Sequence, residues 1–340
     1  MKLNNLLKNQ QFMFMAMVLL GGFFSLWVVG DLSTPILTSI VLALLFRPMQ
    51  VYFTKIGVPE RLSVFITFFT AVSLATLFLL IFIPLFINEA NRYLSELPSL
   101  AVIAEPITDL LGDINAPNES IEGAQSFLSE ITGFATDAVS FGISRLQDTA
   151  NLFLSIILVP IFLFFWLWDT DTLSSGFSKL VPKKRKFLVR VWNETNTNFQ
   201  NYFKAKFIEV FVVAVTGSLM FLALGLNSPV LLGVSFGLSQ LIPFFGPVFM
   251  TFPVLIVSLA QFGLDPYVIV ILLFYALLQN IDGNIFLPFL MSGVVKLPAV
   301  VVLLSVFLFG AIFGIWGVFF AVPIASFIKS LLDNWKYVDS

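Results

Sequence analysis

The chain contains no cysteine and no histidine. The first absence removes disulfides, iron–sulfur ligation and thiol nucleophiles from its chemistry. The second removes the commonest general base, the usual zinc and haem ligand, and any Ser-His triad. Charge is scarce as well. Only 11% of the 340 residues are charged, against about 25% in a soluble domain. There is no Gly-x-x-x-x-Gly-Lys-[Ser/Thr] loop, so this chain lacks the usual phosphate cradle for ATP coupling. Intramembrane aspartyl proteolysis needs two acids, one of them in a Gly-x-Gly-Asp motif. Here Gly283 follows Asp282 instead, so an enzyme is not expected.

What remains is apolar: 58% hydrophobic residues, 41 of them Phe. Solid apolar blocks, rather than the weak ten-residue alternation of a membrane barrel, point to an all-α integral membrane protein. Apolar stretches occur at 11–29, 32–46, 62–87, 150–168, 207–226, 229–262, 266–290 and 298–332. Lys2 and Lys8 precede the first stretch and no small-residue cleavage site follows it. It therefore reads as a membrane helix and not a removable leader.

Basic residues give the sidedness. They collect before the first span, at Arg47, Lys55 and Arg61, between Lys179 and Lys206, and near Lys329 and Lys336. The segment 88–149 holds ten acids against Arg92 and Arg145. The expected layout is a multi-pass bacterial inner-membrane protein with both termini cytoplasmic. Residues 1–87 hold three helices, 88–149 an acidic, helical extracytoplasmic segment, and 150–168 a fourth helix. Residues 169–206 form a basic cytoplasmic linker, and 207–340 a transport core. The linker's PKKRK run (182–186) suits anionic membrane lipid. It has no interleaved aromatic residues, so no nucleic-acid partner is expected.

Between Phe207 and Val295 the only charges are Glu209, Asp265 and Asp282. Asp265, between Gly263 and Pro266, reads as an interfacial helix cap. Glu209 and Asp282 lie inside apolar runs, where an acid at a helix centre costs about 2.5–3.5 kcal/mol on insertion scales. Such a residue is a functional candidate. Gln279 and Asp282 share a helix face, and Asn280 and Asn284 share the neighbouring one. Gly283 and Pro288 weaken the helix just beyond. Carbonyls freed there would join these side chains around a small cation or a polar solute. Shelter from water favours the neutral carboxyl, which suits Asp282 to carrying protons. Gln240, just before a predicted turn, is a further candidate, as is Glu209.

The stretches 229–262 and 298–332 are too long for one ordinary span and too short for two. Each has a helix-breaking middle: Pro243, Gly246 and Pro247 in the first, Gly310, Gly314 and Gly317 in the second. Each opens on a proline (Pro229, Pro298) and carries another about a quarter of the way from its end (Pro253, Pro323). The expectation is about six spanning helices plus two re-entrant helical hairpins, arranged as an inverted repeat of 207–262 and 266–332. Opposed broken-helix repeats meeting at mid-membrane are a secondary-transporter design. The plainer alternative is that Gly and Pro are simply frequent in membrane helices.

Three motifs carry a family likeness: LGVSFGLSQLIPFFGPVFMTFP (232–253), QNIDGNIFLP (279–288) and GIWGVFFAVPIAS (314–326). Together they resemble the autoinducer-2 exporter family of bacterial inner-membrane permeases. Gln279, Asp282, Asn284 and Pro288 stand in register with its Gln-x-x-acid-x-Asn-x-x-x-Pro signature, and the likeness covers nearly the whole chain. The resemblance implies a homopentameric transporter with two re-entrant hairpins, an elevator-like movement, and a site between the hairpin tips near Gly246, Gly314 and Asp282. It implies export of autoinducer-2 or a similar small polar solute, or sodium/proton exchange, with H+ or Na+ as coupling ion and no other cofactor. Where many members carry a Gly-Gln pair, this chain reads Lys206-Phe-Ile-Glu209, so Glu209 has no counterpart in that pattern. A passive oligomeric channel is the competing reading.

Overall fold

The computed structural model describes residues 33–113, 149–169, 186–263, 265–291 and 297–334, with isolated positions between 17 and 30 and between 123 and 140. The expected first span, most of the acidic outer segment beyond 113 and most of the PKKRK run lie outside them. Regular structure among the described residues is helical, without strands. The helices are α1 Ser33–Lys55, α2 Glu60–Asp113, α3 Thr149–Trp168, α4 Lys186–Ala223, α5 Pro229–Ser239, α6 Phe245–Phe262, α7 Tyr267–Ile281, α8 Leu287–Leu290 and α9 Ala299–Asp333.

Among the described residues, six helical stretches are long and apolar enough to cross a membrane: Ser33–Lys55, Glu60–Glu89, Phe187–Ala223, Phe245–Phe262, Tyr267–Leu290 and Trp316–Asp333. Leu154–Trp168, Pro229–Ser239 and Ala299–Gly314 are shorter apolar helices. The described parts of the spans expected at 32–46, 62–87, 150–168, 207–226 and 266–290 are mainly helical, the one at 207–226 ending at Ala223. Three of them belong to longer helices than composition suggested, the span at 62–87 lying within α2, which continues to Asp113. α1 runs on through Arg47 and Pro48 to Lys55, and α4 begins twenty-one residues before Phe207, at Lys186. The boundaries follow the local chemistry. α1 ends where Gly57 takes φ +93 and the Val58 N–H returns to the Phe53 carbonyl, a glycine stop followed by Pro59.

Contacts divide the chain into two compact units. One comprises Met1–Ala75, Ala150–Phe207 and Met291–Ser340; the other comprises Thr76–Thr149 and Ile208–Leu290. In the first unit Val64 and Ala71 of α2 pack with Leu163 and Leu167 of α3 and with Leu42 and Phe46 of α1. Ser39, Ser63 and Thr67 are fully buried in the same unit. Small hydroxyl residues of this kind let membrane helices approach closely. A second cluster joins Val41, Tyr202 and Phe203 to Trp316, Phe319 and Phe320 of α9. A third places Phe187 and Val191 against Phe327 and Leu331.

α9 is two helices merged across a sharp break. Gly314 has φ +59 and ψ −142, a backbone that L side chains rarely adopt. Eight residues of continuous helix would separate Phe309 from Gly317 by about 12 Å. Instead, a Cβ at Gly317 would lie 1.8 Å from the Phe309 carbonyl oxygen. The chain therefore doubles back at this point.

In the second unit, Val213 and Phe221 of α4, Leu232 and Phe236 of α5, Met250, Val254 and Val257 of α6, and Ile271 and Tyr275 of α7 form one core. α5 seats on α4 through small residues. A Cβ at Gly233 would lie 2.1 Å from Ser218 Oγ, and one at Gly237 would lie 2.4 Å from the Val210 carbonyl. Gly233-x-x-x-Gly237 thus acts as a close-approach face of the small-xxx-small kind. The segment between α5 and α6 is a tight turn in which Phe244 takes φ +64. A Cβ at Gly246 would lie 1.7 Å from the Ser239 carbonyl. At the far end, the Asn227 N–H donates to Gln261 Oε1 at 2.8 Å and Gln261 Nε2 donates to the Gly225 carbonyl at 2.6 Å. The chain leaves from 225–227 and returns beside them at 261, so α5 and α6 form a helical hairpin.

Candidate functional site

The second unit gathers the acids that the sequence singled out. Glu209 on α4 is 1% exposed, Asp282 at the end of α7 is 3% exposed, and Gln240 at the end of α5 is 4% exposed. Gln240 Nε2 donates to Gln279 Oε1 at 3.1 Å, which fastens the hairpin turn to α7. Asp282 follows Gln279 by one turn on the same face.

Glu209 comes to this level through the packing of α5 on α4. Gly233 sits against Ser218, and Gly237 against Val210 and Ala214. The two helices run antiparallel, since one number rises as the other falls. One turn beyond Gly237 is Gln240, and one residue before Val210 is Glu209. Two buried carboxyls and two amide side chains therefore lie at one level of this unit, beside the turn between α5 and α6.

The backbone around Asp282 is altered too. Asp282–Phe286 forms a π turn, closed by the Leu287 N–H donating to the Asp282 carbonyl. The sequence supplies the cause. Pro288 has no N–H to give to the Asn284 carbonyl, so the regular ladder cannot continue. The helix widens rather than breaking at Gly283 and Pro288. Single π turns of this kind recur at functional sites.

Asn280 and Asn284 lie elsewhere. Both are exposed, and they bond to each other: Asn284 Nδ2 donates to the Asn280 carbonyl at 3.0 Å and to its Oδ1 at 3.1 Å. The structure joins Gln279 to Gln240 and leaves the two asparagines on the neighbouring, outward face. Pro243 lies in the turn, and Gly246 and Pro247 open α6, where both are buried. Gly314 and Gly317 mark the reversal within the first unit.

One contributor was not anticipated. Tyr275 on α7 is buried, and its hydroxyl donates to the Pro247 carbonyl at 2.5 Å. Its ring lies 4.9 Å from that of Phe236. It holds the first turn of α6 against α7, one turn before Gln279. Its phenol was the only polar group in YVIVILLFY (267–275) apart from that of Tyr267, a signal hidden when tyrosine is counted as apolar.

The sequence profile of the AI-2E family transporter matches residues 12–337. The chain belongs to this family. Relatives in it include a protein of Escherichia coli (strain K12) provisionally named permease PerM. It is 29% identical over 325 residues, which cover 94% of this chain and 91% of that protein. YrrI of Bacillus subtilis (strain 168), provisionally named a transport protein, is 24% identical over 91% of this chain and 88% of its own length. A Thermotoga maritima protein, also provisionally named for transport, is 24% identical over 95% and 94%. With its apolar helices, this AI-2E family member is a multi-pass membrane transporter.

Proposed function

We infer that this transporter is a secondary carrier that moves a small polar solute of the autoinducer-2 type, coupled to protons or sodium, through the second unit beside the turn of the α5–α6 hairpin. The observation that carries the reading is Asp282: an acid 3% exposed, set in a π turn, one turn from the Gln240–Gln279 bridge. A buried carboxyl in a membrane helix is kept where ions, protons or polar solutes pass. Glu209 supplies a second carboxyl at the same level. Amide groups on the hairpin end and on α7 offer donors and acceptors to hydroxylated solutes. The all-oxygen carboxyl and carbonyl set also suits Na+, which supports sodium/proton exchange as the second reading.

The re-entrant hairpins and their inverted repeat belong to this proposal. Their support is the shared construction of the two reversals. In each, a glycine on the later helix (Gly246, Gly317) lies under a carbonyl of the earlier one (Ser239, Phe309). Irregular backbone at membrane depth is tolerated where protein or a water-filled cavity surrounds it. The homopentamer, the elevator-like displacement and an inner-membrane setting with cytoplasmic termini enter as proposals from the family resemblance and the distribution of basic residues.

The test is uptake by the full chain in proteoliposomes, scanned over sodium, protons and small hydroxylated solutes. The proposal expects saturable movement of one of them against its own concentration difference, driven by a gradient of another. Flux that runs only downhill and never saturates contradicts it and favours a channel.

A further inference from the structure

Away from that site, the ends of α1, α2 and α3 enclose a pocket in the first unit, lined by Arg47, Gln50, Thr54, Glu60, Leu167 and Trp168 among others. Its charges are of both signs. Arg47 and Glu60 both line this pocket, and no ion pair joins them to each other. Gln50 is fixed by its amide donating to the Leu167 carbonyl at 3.4 Å. The Thr54 hydroxyl is turned back onto the Val51 carbonyl at 2.9 Å. Among the described lining residues the charged groups are one guanidinium and one carboxylate.

The rim is apolar and aromatic. Val51, Phe65 and Trp168 are exposed, and the Phe65 and Trp168 rings meet edge to face at 5.8 Å. Tryptophan at the end of an apolar helix marks the level of lipid headgroups. A polar pocket with opposite charges, bordered by exposed hydrocarbon at a helix end, matches an amphiphile and not a soluble ion.

We propose that this pocket binds the headgroup of a zwitterionic phospholipid with a primary ammonium, phosphatidylethanolamine. Arg47 holds the phosphate through its planar fork, Glu60 accepts from the ammonium, and the acyl chains lie along Phe65 and Trp168. A purely anionic headgroup would set its charge against Glu60. A quaternary ammonium has no N–H to offer the carboxylate.

The experiment uses the purified full-length chain in detergent. It is titrated with phosphatidylethanolamine, phosphatidylglycerol and phosphatidylcholine, and bound lipid is counted by native mass spectrometry. Phosphatidylethanolamine is expected to be held about two- to fivefold more tightly than either of the others, the range an exposed ion pair supplies. Glu60→Gln should abolish that preference. Arg47→Gln should weaken all three lipids, Arg47→Lys should restore part of the binding, and Lys55→Gln, outside the pocket lining, should change nothing. Equal binding of the three lipids overturns the proposal, and so does a preference that survives Glu60→Gln. Displacement of the lipid by soluble phosphoethanolamine at matched concentration also overturns it, because the ligand would then be a water-soluble zwitterion.

Discussion

The side-chain amide of Gln240 donates to Gln279 Oε1 at 3.1 Å, and it does so where Gln240 is almost wholly buried. One hydrogen bond thus ties the end of α5 to the helix that carries Asp282. Gln279→Ala removes the acceptor and leaves a buried amide unpaired, which costs about 1–3 kcal/mol. Replacing both glutamines with leucine removes donor and acceptor together and should cost less than the sum of the single changes. Thermal unfolding of the detergent-solubilised variants measures the difference. Transport should fall in all of them, because the double replacement restores packing and not polarity.

Gly237→Ala puts a methyl group where the Val210 carbonyl lies 2.4 Å away and Ala214 Cβ 2.7 Å away. Backbone must move to admit it, so α5 should lift from α4 at the turn next to Glu209. Overpacking of this kind costs about 1–3 kcal/mol. The unfolding midpoint should drop, and flux should drop with it.

The π turn offers a contrasting case. A Cβ at Gly283 meets nothing within 4 Å, so Gly283→Ala should leave stability unchanged or raise it by up to about 1 kcal/mol. Pro288→Ala gives the Asn284 carbonyl its missing donor and lets an ordinary helix run through Asp282. It should be at least as stable as the parent yet slower in transport. Full flux from a stable Pro288→Ala protein would show that the altered backbone is not used.

Tyr275→Phe deletes the hydroxyl that reaches the Pro247 carbonyl. Thr251 Oγ1 also donates to that carbonyl, at 3.2 Å, so the acceptor is not orphaned. The expected cost is about 0.5–1.5 kcal/mol, read as a lower unfolding temperature. A larger loss would mean that the phenol does more than anchor the first turn of α6.

Much of this arrangement was legible before any coordinates. Asp282 stood out because charge is rare in an apolar run, and the turns at Gly246 and Gly314–Gly317 fall where Gly and Pro interrupt stretches too long for one ordinary span. Besides Tyr275, three features were not legible, each for a physical reason. α4 continues back through polar residues to Lys186 because nothing from 186 to 206 is Gly or Pro. A basic linker and a helix can be the same segment. That Asn280 and Asn284 share the neighbouring face, about 100° round the helix, was legible; that they bond to each other there and stay exposed was not. The alignment of Glu209 with Gln240 depends on which glycines of α5 meet which residues of α4, a long-range register that no local pattern states.

The account depends most on Asp282 as the group whose charge is linked to transport. The direct measurement is flux in proteoliposomes as a function of pH, parent against Asp282→Asn, with folding of both checked by their unfolding transitions. The substitution keeps size and polarity and removes the ability to titrate. The account predicts a pH-dependent flux in the parent and a flux in Asp282→Asn that is lost or no longer follows pH. An unchanged pH profile in a folded Asp282→Asn protein would contradict it.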